Sequence, residues 1–310
     1  MPTEVTKAAS RRPSYRRGTP HVPSEVHRYN VGDIEIVVLS DGFRKVPLDN
    51  YLKNASKEEL AAALEAAGLP TDHMKNTYAP VVLRADGHNV LIDTGNGEAA
   101  FMQTKGERGR LNRNLDTAGI KRTDIDKVVI SHFHADHVNG LLLVDNKSAF
   151  PNAEILVPEV EWAFWMDDAE MARASAGRMT ELFQNNRRVF DILDRKVTTY
   201  AWDTDVASGV KAVGTPGHSI GHTSFMVSSG EQRVFVQQDV NNNSAVFAPH
   251  PEWQGFFDQD PPKASETRKR VYDMLAAEKI PVQAYHHQFP GLGRVEKSGE
   301  GHKVIPINAI

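Results

Sequence analysis

The chain has 310 residues, 40% hydrophobic and 25% charged, with a formal net charge of −4 and no cysteine. These values describe an ordinary globular chain with room for one large domain or two small ones. They exclude a disulfide framework, give no basic footprint for nucleic acid, and leave no apolar run near the roughly 18 residues of a membrane span.

Residues 1–30 differ from the rest. They carry Lys7, Arg11, Arg12, Arg16, Arg17 and Arg28 against Glu4 and Glu25, and prolines at 2, 13, 20 and 23 break any helix. They read as a flexible basic arm ahead of a domain over 31–310. The arginine pairs lack the roughly 7–15-residue apolar segment of an export signal. The expected location is therefore the cytoplasm, or the periplasm if a signal was removed. The arm is expected to lie free or across the second subunit of a homodimer.

Residues 34–39 read as a strand. Ser56-Lys57-Glu58-Glu59 is a capping box that opens a helix through Ala67, stopped by Gly68 and Pro70. Residues 81–84 and 89–93 form a hairpin around Asp86-Gly87. Val128-Val129-Ile130 reads as a buried strand ending at Ser131. Residues 160–168 and 180–193 read as helices, and 210–213 and 224–227 as strands around a glycine-rich loop. Residues 234–239 form a strand ending in a carboxylate. A helix follows over 264–278, and then a short strand over 282–287 that ends in histidines. Strands and helices alternate in two halves, which predicts two sheets packed face to face and flanked by helices.

The chemistry is concentrated at strand ends. His132-Phe133-His134-Ala135-Asp136-His137 places three imidazoles and a carboxylate where a strand gives way to a loop. His132 and His134 can point the same way from an extended segment and take one metal, while Asp136 and His137 can face a neighbouring one. Further donors follow: His218 and His222 in Thr215-Pro216-Gly217-His218-Ser219-Ile220-Gly221-His222-Thr223, Asp239, and the pair His286-His287. Nitrogen and oxygen donors suit Zn2+, and also Mn2+, Fe2+ or Co2+. A Walker loop and Gly-x-Gly-x-x-Gly after a strand are absent, so nothing points to a nucleotide cofactor.

In that order, His132, His134, Asp136, His137, His218, Asp239 and His286 resemble the ligands of the metallo-β-lactamase superfamily. Leu91-Ile92-Asp93-Thr94-Gly95 resembles its early Asp-Thr-Gly signature, and the likeness runs from about Val31 to about Val304. The branch of methyl parathion hydrolase and related lactonases is the most similar. That narrower likeness rests on Val31 to Ile36 with Leu39 to Gly42, on the Pro216 to Thr223 loop, and on Tyr285 with Phe289-Pro290-Gly291-Leu292-Gly293.

The resemblance implies an α+β fold, the αββα four-layer sandwich. It implies two divalent metal ions, most simply zinc. His132, His134 and His218 would hold the first, Asp136, His137 and His286 the second, and Asp239 would bridge them. His286 is preferred over His287, which would point to the other side of the strand. Asp93 would orient a ligand imidazole through its free N–H, and His222 would brace the loop. A bridging water, its pKa lowered from about 15.7 towards roughly 7, would attack the substrate as hydroxide, with Asp136 and Asp239 tuning it.

Commonest-type zinc β-lactamases carry a cysteine at the Asp239 position, so antibiotic hydrolysis is not expected. Aromatic residues that could overhang the metals are Phe164, Trp165, Phe183, Trp253, Phe256 and Phe257, some of which belong to helix cores. Aromatic walls favour small-molecule lactones, aryl esters or organophosphate triesters. Two alternatives stand beside this expectation. One is a glyoxalase II-like thioesterase, which would need a basic surface that is not evident in the sequence. The other is a non-hydrolytic metal-binding or iron-oxygenase member.

Overall fold

The computed structural model describes residues 25–310. Most of the expected arm, residues 1–24, lies outside the described residues. The end of the arm needs correction: Val26–Val31 is a strand, paired antiparallel with Ile34–Leu39 from Val26↔Leu39 to Val31↔Ile34. The helix-breaking prolines all precede it. Gly32, at φ 54°, supplies the turn between the two strands, so nothing in 26–31 opposes pairing.

Among the described residues two seven-stranded sheets form. The first runs, in spatial order, Val26–Val31, Ile34–Leu39, Val81–Ala85, His88–Ile92, Lys127–Val129, Glu154–Pro158 and Thr198–Tyr200. It is antiparallel up to His88–Ile92 and parallel beyond. The second runs Asp205–Ala207, Val210–Gly214, Thr223–Ser229, Gln232–Gln238, Val282–Ala284, Leu292–Ser298 and Gly301–Pro306. Alternation along each strand sends one set of side chains inward: Ile36, Val38, Val81 and Leu83 meet Val210, Ala212, Phe225 and Val236 between the sheets. The other set meets helices. Val37, Val82, Leu91 and Val128 pack against Leu115, Trp165, Phe183 and Phe190. Phe235, Val282 and Val295 pack against Val271, Tyr272 and Leu275. The layers are therefore helix, sheet, sheet, helix.

Local signals act where they are strong. The Ser56 capping box forms with both bonds, Glu59 N to Ser56 Oγ at 3.2 Å and Ser56 N to Glu59 Oε2 at 2.7 Å. Asp86 and Gly87 take φ of 49° and 78° in the hairpin turn. The helix expected over 160–168 is two helices, Glu159–Trp165 and Asp168–Arg173. Asp167 breaks it, because its carboxylate accepts from Ala169 N and Glu170 N and so starts a new helix.

The segments after Ile92, Val129, Gln238 and Ala284, and the turn after Gly214, carry the candidate ligands. Two of these segments are strapped together. Thr94 N and Oγ1 donate to His137 O at 2.9 and 2.8 Å, and Gly140 N donates to Gly95 O at 3.2 Å. A Cβ on Gly140 would fall inside the van der Waals envelope of the Thr94 carbonyl oxygen. Gly140→Ala is therefore expected to cost about 1–3 kcal/mol by overpacking. Urea unfolding checks this, and an unchanged midpoint would show that the strap can shift freely.

Candidate metal centre

His132, His134, His218 and Asp239 form one group and Asp136, His137 and His286 another; within each, one donor atom per residue lies within 4.8 Å of the rest. Asp239 stands between the groups. Its Oδ1 is 3.4 Å from His137 Nε2, and its Oδ2 is 3.1 Å from His218 Nε2 and 2.9 Å from His286 Nε2. Asp136, with a quarter of its side chain exposed, places Oδ2 3.6 Å from His286 Nε2.

The inward-facing nitrogens of these imidazoles are set by bonds that hold the other ring nitrogen from outside. His137 Nδ1 bonds Asp93 Oδ2 at 2.6 Å, His218 Nδ1 bonds Asp258 Oδ1 at 3.0 Å, and His286 Nδ1 bonds the Thr77 carbonyl at 2.7 Å. His132 Nδ1 lies 3.0 Å from Ser131 Oγ, which itself donates to Asp93. Such outer partners set the tautomer and ring orientation of metal-binding histidines.

The donor set fits divalent cations. His137 Nε2 and Asp239 Oδ1 are buried without a hydrogen-bond partner. His134 Nδ1 lies 3.0 Å from His132 Nε2 and 2.8 Å from His218 Nε2, so three ring nitrogens converge. Convergent imidazole lone pairs repel unless a proton or a cation lies among them. The electrostatics agree. Burial alone would raise the Asp239 pKa, yet His286, His137 and His218 hold it well below the usual carboxylate range. Burial would lower the His218 pKa, yet Asp239 and Asp258 raise it to about 9. Positive charge is favoured beside Asp239.

His222 lies outside both groups. Its Nε2 accepts from Asp239 N at 3.1 Å while Nδ1 faces Thr215, so it braces Asp239. Burial, with the neighbouring His218, lowers its pKa to about 3 and keeps it neutral. His287 turns away, its Nε2 3.3 Å from Gln237 Nε2. The strand expected through His287 ends at Ala284, so a turn rather than the pleat separates the two histidines.

A cavity of about 820 Å³ opens onto Asp136, Asp239, His134, His218 and His286. Phe256 and Phe257 line it, together with Tyr78. Phe164, Trp165, Phe183 and Trp253 do not. Phe164, Trp165 and Phe183 pack against one another in the helix layer, and Trp253 stacks on His250 at 4.0 Å. Helical spacing puts the first three on a core face, which the sequence does not distinguish from a cavity wall. The cavity is also basic, lined by Arg44, Arg108, Arg178 and Arg188. That basic surface is assembled from separate segments and has no signature in any one of them.

Several positioning residues have no motif. Glu161, fully buried, accepts Phe133 N and Trp165 Nε1 on Oε2 at 2.9 and 2.8 Å, and Ser219 Oγ and Gly221 N on Oε1 at 2.7 and 2.6 Å. It thus ties the His132–His137 segment to the His218 loop. Glu161→Gln keeps the volume but turns an acceptor into a donor facing fixed N–H groups. It is expected to cost about 1–3 kcal/mol in urea unfolding and to loosen metal retention on dialysis; unchanged values in both would remove this role.

Asp41 accepts Asn96 N, Asn96 Nδ2 and Leu111 N at 2.7, 3.0 and 2.8 Å. Burial outweighs these donors and raises its pKa from 3.8 to about 6. The unfolded chain loses this proton first, so the group's stabilisation is full below about pH 4 and is lost as pH rises through 6. The loss is about 3 kcal/mol. The stability advantage of wild type over Asp41→Asn should shrink by about that amount between pH 4 and 7. A gap independent of pH would show that Asp41 ionises alike in both states.

Comparison with known proteins agrees with this fold. Residues 78–236, half of the chain, match the family described as the Metallo-beta-lactamase superfamily. An N-acyl homoserine lactonase of Bacillus thuringiensis is 25% identical over 222 residues, which is 66% of this chain and 79% of that protein. The structure of AidC, a dizinc quorum-quenching lactonase in complex with a product, superposes with TM-score 0.84 at 24% identity, covering 91% of this chain and 97% of AidC. The structure of the hydrolase AbOPH superposes with TM-score 0.83 at 24% identity, covering 92% and 98%. With a family match over half its length, four layers and hydrolase relatives, the chain belongs to the metallo-β-lactamase superfamily.

Proposed function

We propose that the protein is a lactonase-type hydrolase that works with two divalent cations, zinc being the simplest choice for this donor set, and that the same chemistry extends to aryl esters and organophosphate triesters. The observation that carries this reading is Asp239, whose carboxylate faces imidazoles of both groups, His218 of the first and His137 and His286 of the second. His132, His134 and His218 would hold one cation and Asp136, His137 and His286 the other. The cation pair, when bound, supplies a hydroxide nucleophile at neutral pH and polarises the carbonyl or phosphoryl oxygen.

The chain's own residues do the rest. Asp239 sets the spacing between the two sites and neutralises charge there. Asp136, open to the cavity on one side, is placed to carry a proton to the leaving oxygen. Asp93, Asp258 and the Thr77 carbonyl keep His137, His218 and His286 in register. Phe256, Phe257 and Tyr78 join Val46, Leu142, Leu143 and Leu182 in the apolar part of the wall. The likeness to lactonases supports lactones as the leading substrate class.

Elemental analysis of metallated protein should approach two metals per chain, with turnover of dihydrocoumarin, 4-nitrophenyl acetate or a paraoxon-like triester. Asp239→Asn should abolish turnover and weaken the second site. His286→Ala should lose metal, whereas His287→Ala should keep both ions. One metal per chain with full activity, or near-normal turnover in Asp239→Asn, would end the two-metal reading.

A further inference from the structure

The cavity's charge runs against that of the whole chain. The protein carries a net −4, yet the cavity is lined by Arg44, Arg108, Arg178 and Arg188. Its lining carboxylates are Asp136 and Asp239, assigned above to the cations, and Glu181. Outside the metal ligands, four guanidiniums therefore face one carboxylate. Among the described residues none of the four makes an ion pair. Arg188 Nη2 bonds only the neutral Asn185 Oδ1, at 3.2 Å. Arg108 Nε is buried with no acceptor.

Arg178 is the guanidinium beside the candidate centre. Its Nη2 lies 3.2 Å from His134 Nε2 and 3.4 Å from the Phe257 carbonyl, and its charge sits 5.9 Å from the Phe256 ring centroid. His134 turns its other nitrogen, Nδ1, towards His132 and His218. If Nδ1 is the ligating atom, Nε2 carries the ring proton and cannot accept from Arg178. Arg178 is then left without a good acceptor. Arg178 and Arg188 project from one face of the helix Arg178–Ile192, with Glu181 and Asn185 between them at helical spacing. Arg44 and Arg108 come from the strand Phe43–Pro47 and from the bridge Gly42↔Arg108 beside it. Two independent parts of the fold thus supply unpaired cations to one cavity. Half-buried guanidiniums are stabilised by planar anions that accept two parallel N–H bonds.

We propose that the substrate is a lactone or ester bearing a carboxylate remote from the scissile bond. Arg108 and Arg178 grip that carboxylate, and the more exposed Arg44 and Arg188 supply the surrounding field. This rests on the hydrolase reading above and narrows it to anionic acyl substrates. It also gives the polar wall a purpose that a neutral acyl chain would not.

The test compares two esters that differ only in the remote group: mono-4-nitrophenyl glutarate, and the same ester with its free carboxylate capped as a methyl ester. For zinc-loaded protein, kcat/KM should favour the free carboxylate by about tenfold or more, and the preference should shrink with added salt. In Arg108→Gln and Arg178→Gln the preference should fall by about tenfold, in Arg44→Gln by about two- to threefold, and Arg108→Lys should retain part of it. Calorimetry gives a second readout. The loaded protein should bind glutarate more tightly than monomethyl glutarate, and that difference should vanish in Arg108→Gln. Equal turnover of the two esters, or a preference untouched in the arginine variants, overturns anion recognition and leaves the hydrolase reading intact. Turnover of neither ester, with glutarate still held through Arg108, overturns the hydrolase reading and upholds anion recognition.

Discussion

The buried carboxylate of Asp239 is the constraint on which the rest of the site depends. An ionised carboxylate out of water is tolerable only with close positive charge or well-placed donors. Here Oδ2 faces His218 and His286 while Oδ1 faces His137, and Asn242 Nδ2 donates from the side. Each of those imidazoles is in turn braced by a carboxylate or a carbonyl behind it. The residue before Asp239, Gln238, holds φ at 51°, a conformation that a non-glycine residue adopts only when its surroundings over-determine it. They do so here: Gln238 Nε2 donates to Asp93, and His222 accepts the Asp239 amide. Asp93 itself sits at φ 58° and collects Ser131, His137 and Gln238. Two strained strand ends, one from each sheet, are thus locked to each other through side chains.

That lock explains the use of two sheets. The apolar filling between them is formed by alternating strand residues and needs no polar atom. It leaves the strand ends to carry the polar load. Carboxylates in the layer just behind the centre then couple loops that are far apart in sequence. Glu161 joins the His132–His137 segment to the His218 loop, and Asp258 joins His218 to the buried Arg268. Arg268 donates to the Val240, Pro251 and Trp253 carbonyls, which fixes the segment that brings Phe256 and Phe257 to the cavity. The candidate metal ligands and the cavity wall therefore share supports. A change at Glu161 or Asp258 reaches both.

The sequence carried the candidate ligands unusually well. Metal coordination demands particular residue types, in close spacing and next to strand ends, and few other pressures place three histidines and an aspartate in six residues. The layer order followed from strands and helices alternating in two halves. Short-range rules also held where a single local interaction decides the backbone, as at the Ser56 cap and the Asp86-Gly87 turn. They failed at Asp167, whose capping strength splits an apolar stretch that otherwise reads as one helix.

Tertiary structure alone decided what surrounds the centre. Glu161, Asp258, Asp41 and the Thr77 carbonyl look like any other acid or backbone group until folding buries them against a donor. Phe164, Trp165 and Phe183 carry the composition of a substrate wall, yet they lie on the inner face of the helix layer, because an aromatic residue at helical spacing satisfies a core and a cavity equally well. The cavity arginines come from four separate positions, and their sum exists only where two parts of the fold converge. By itself the sequence determined which side chains could hold a metal ion, since coordination chemistry is written in residue identity. What the cavity admits was left to the fold, since charge and shape there are sums over residues distant along the chain.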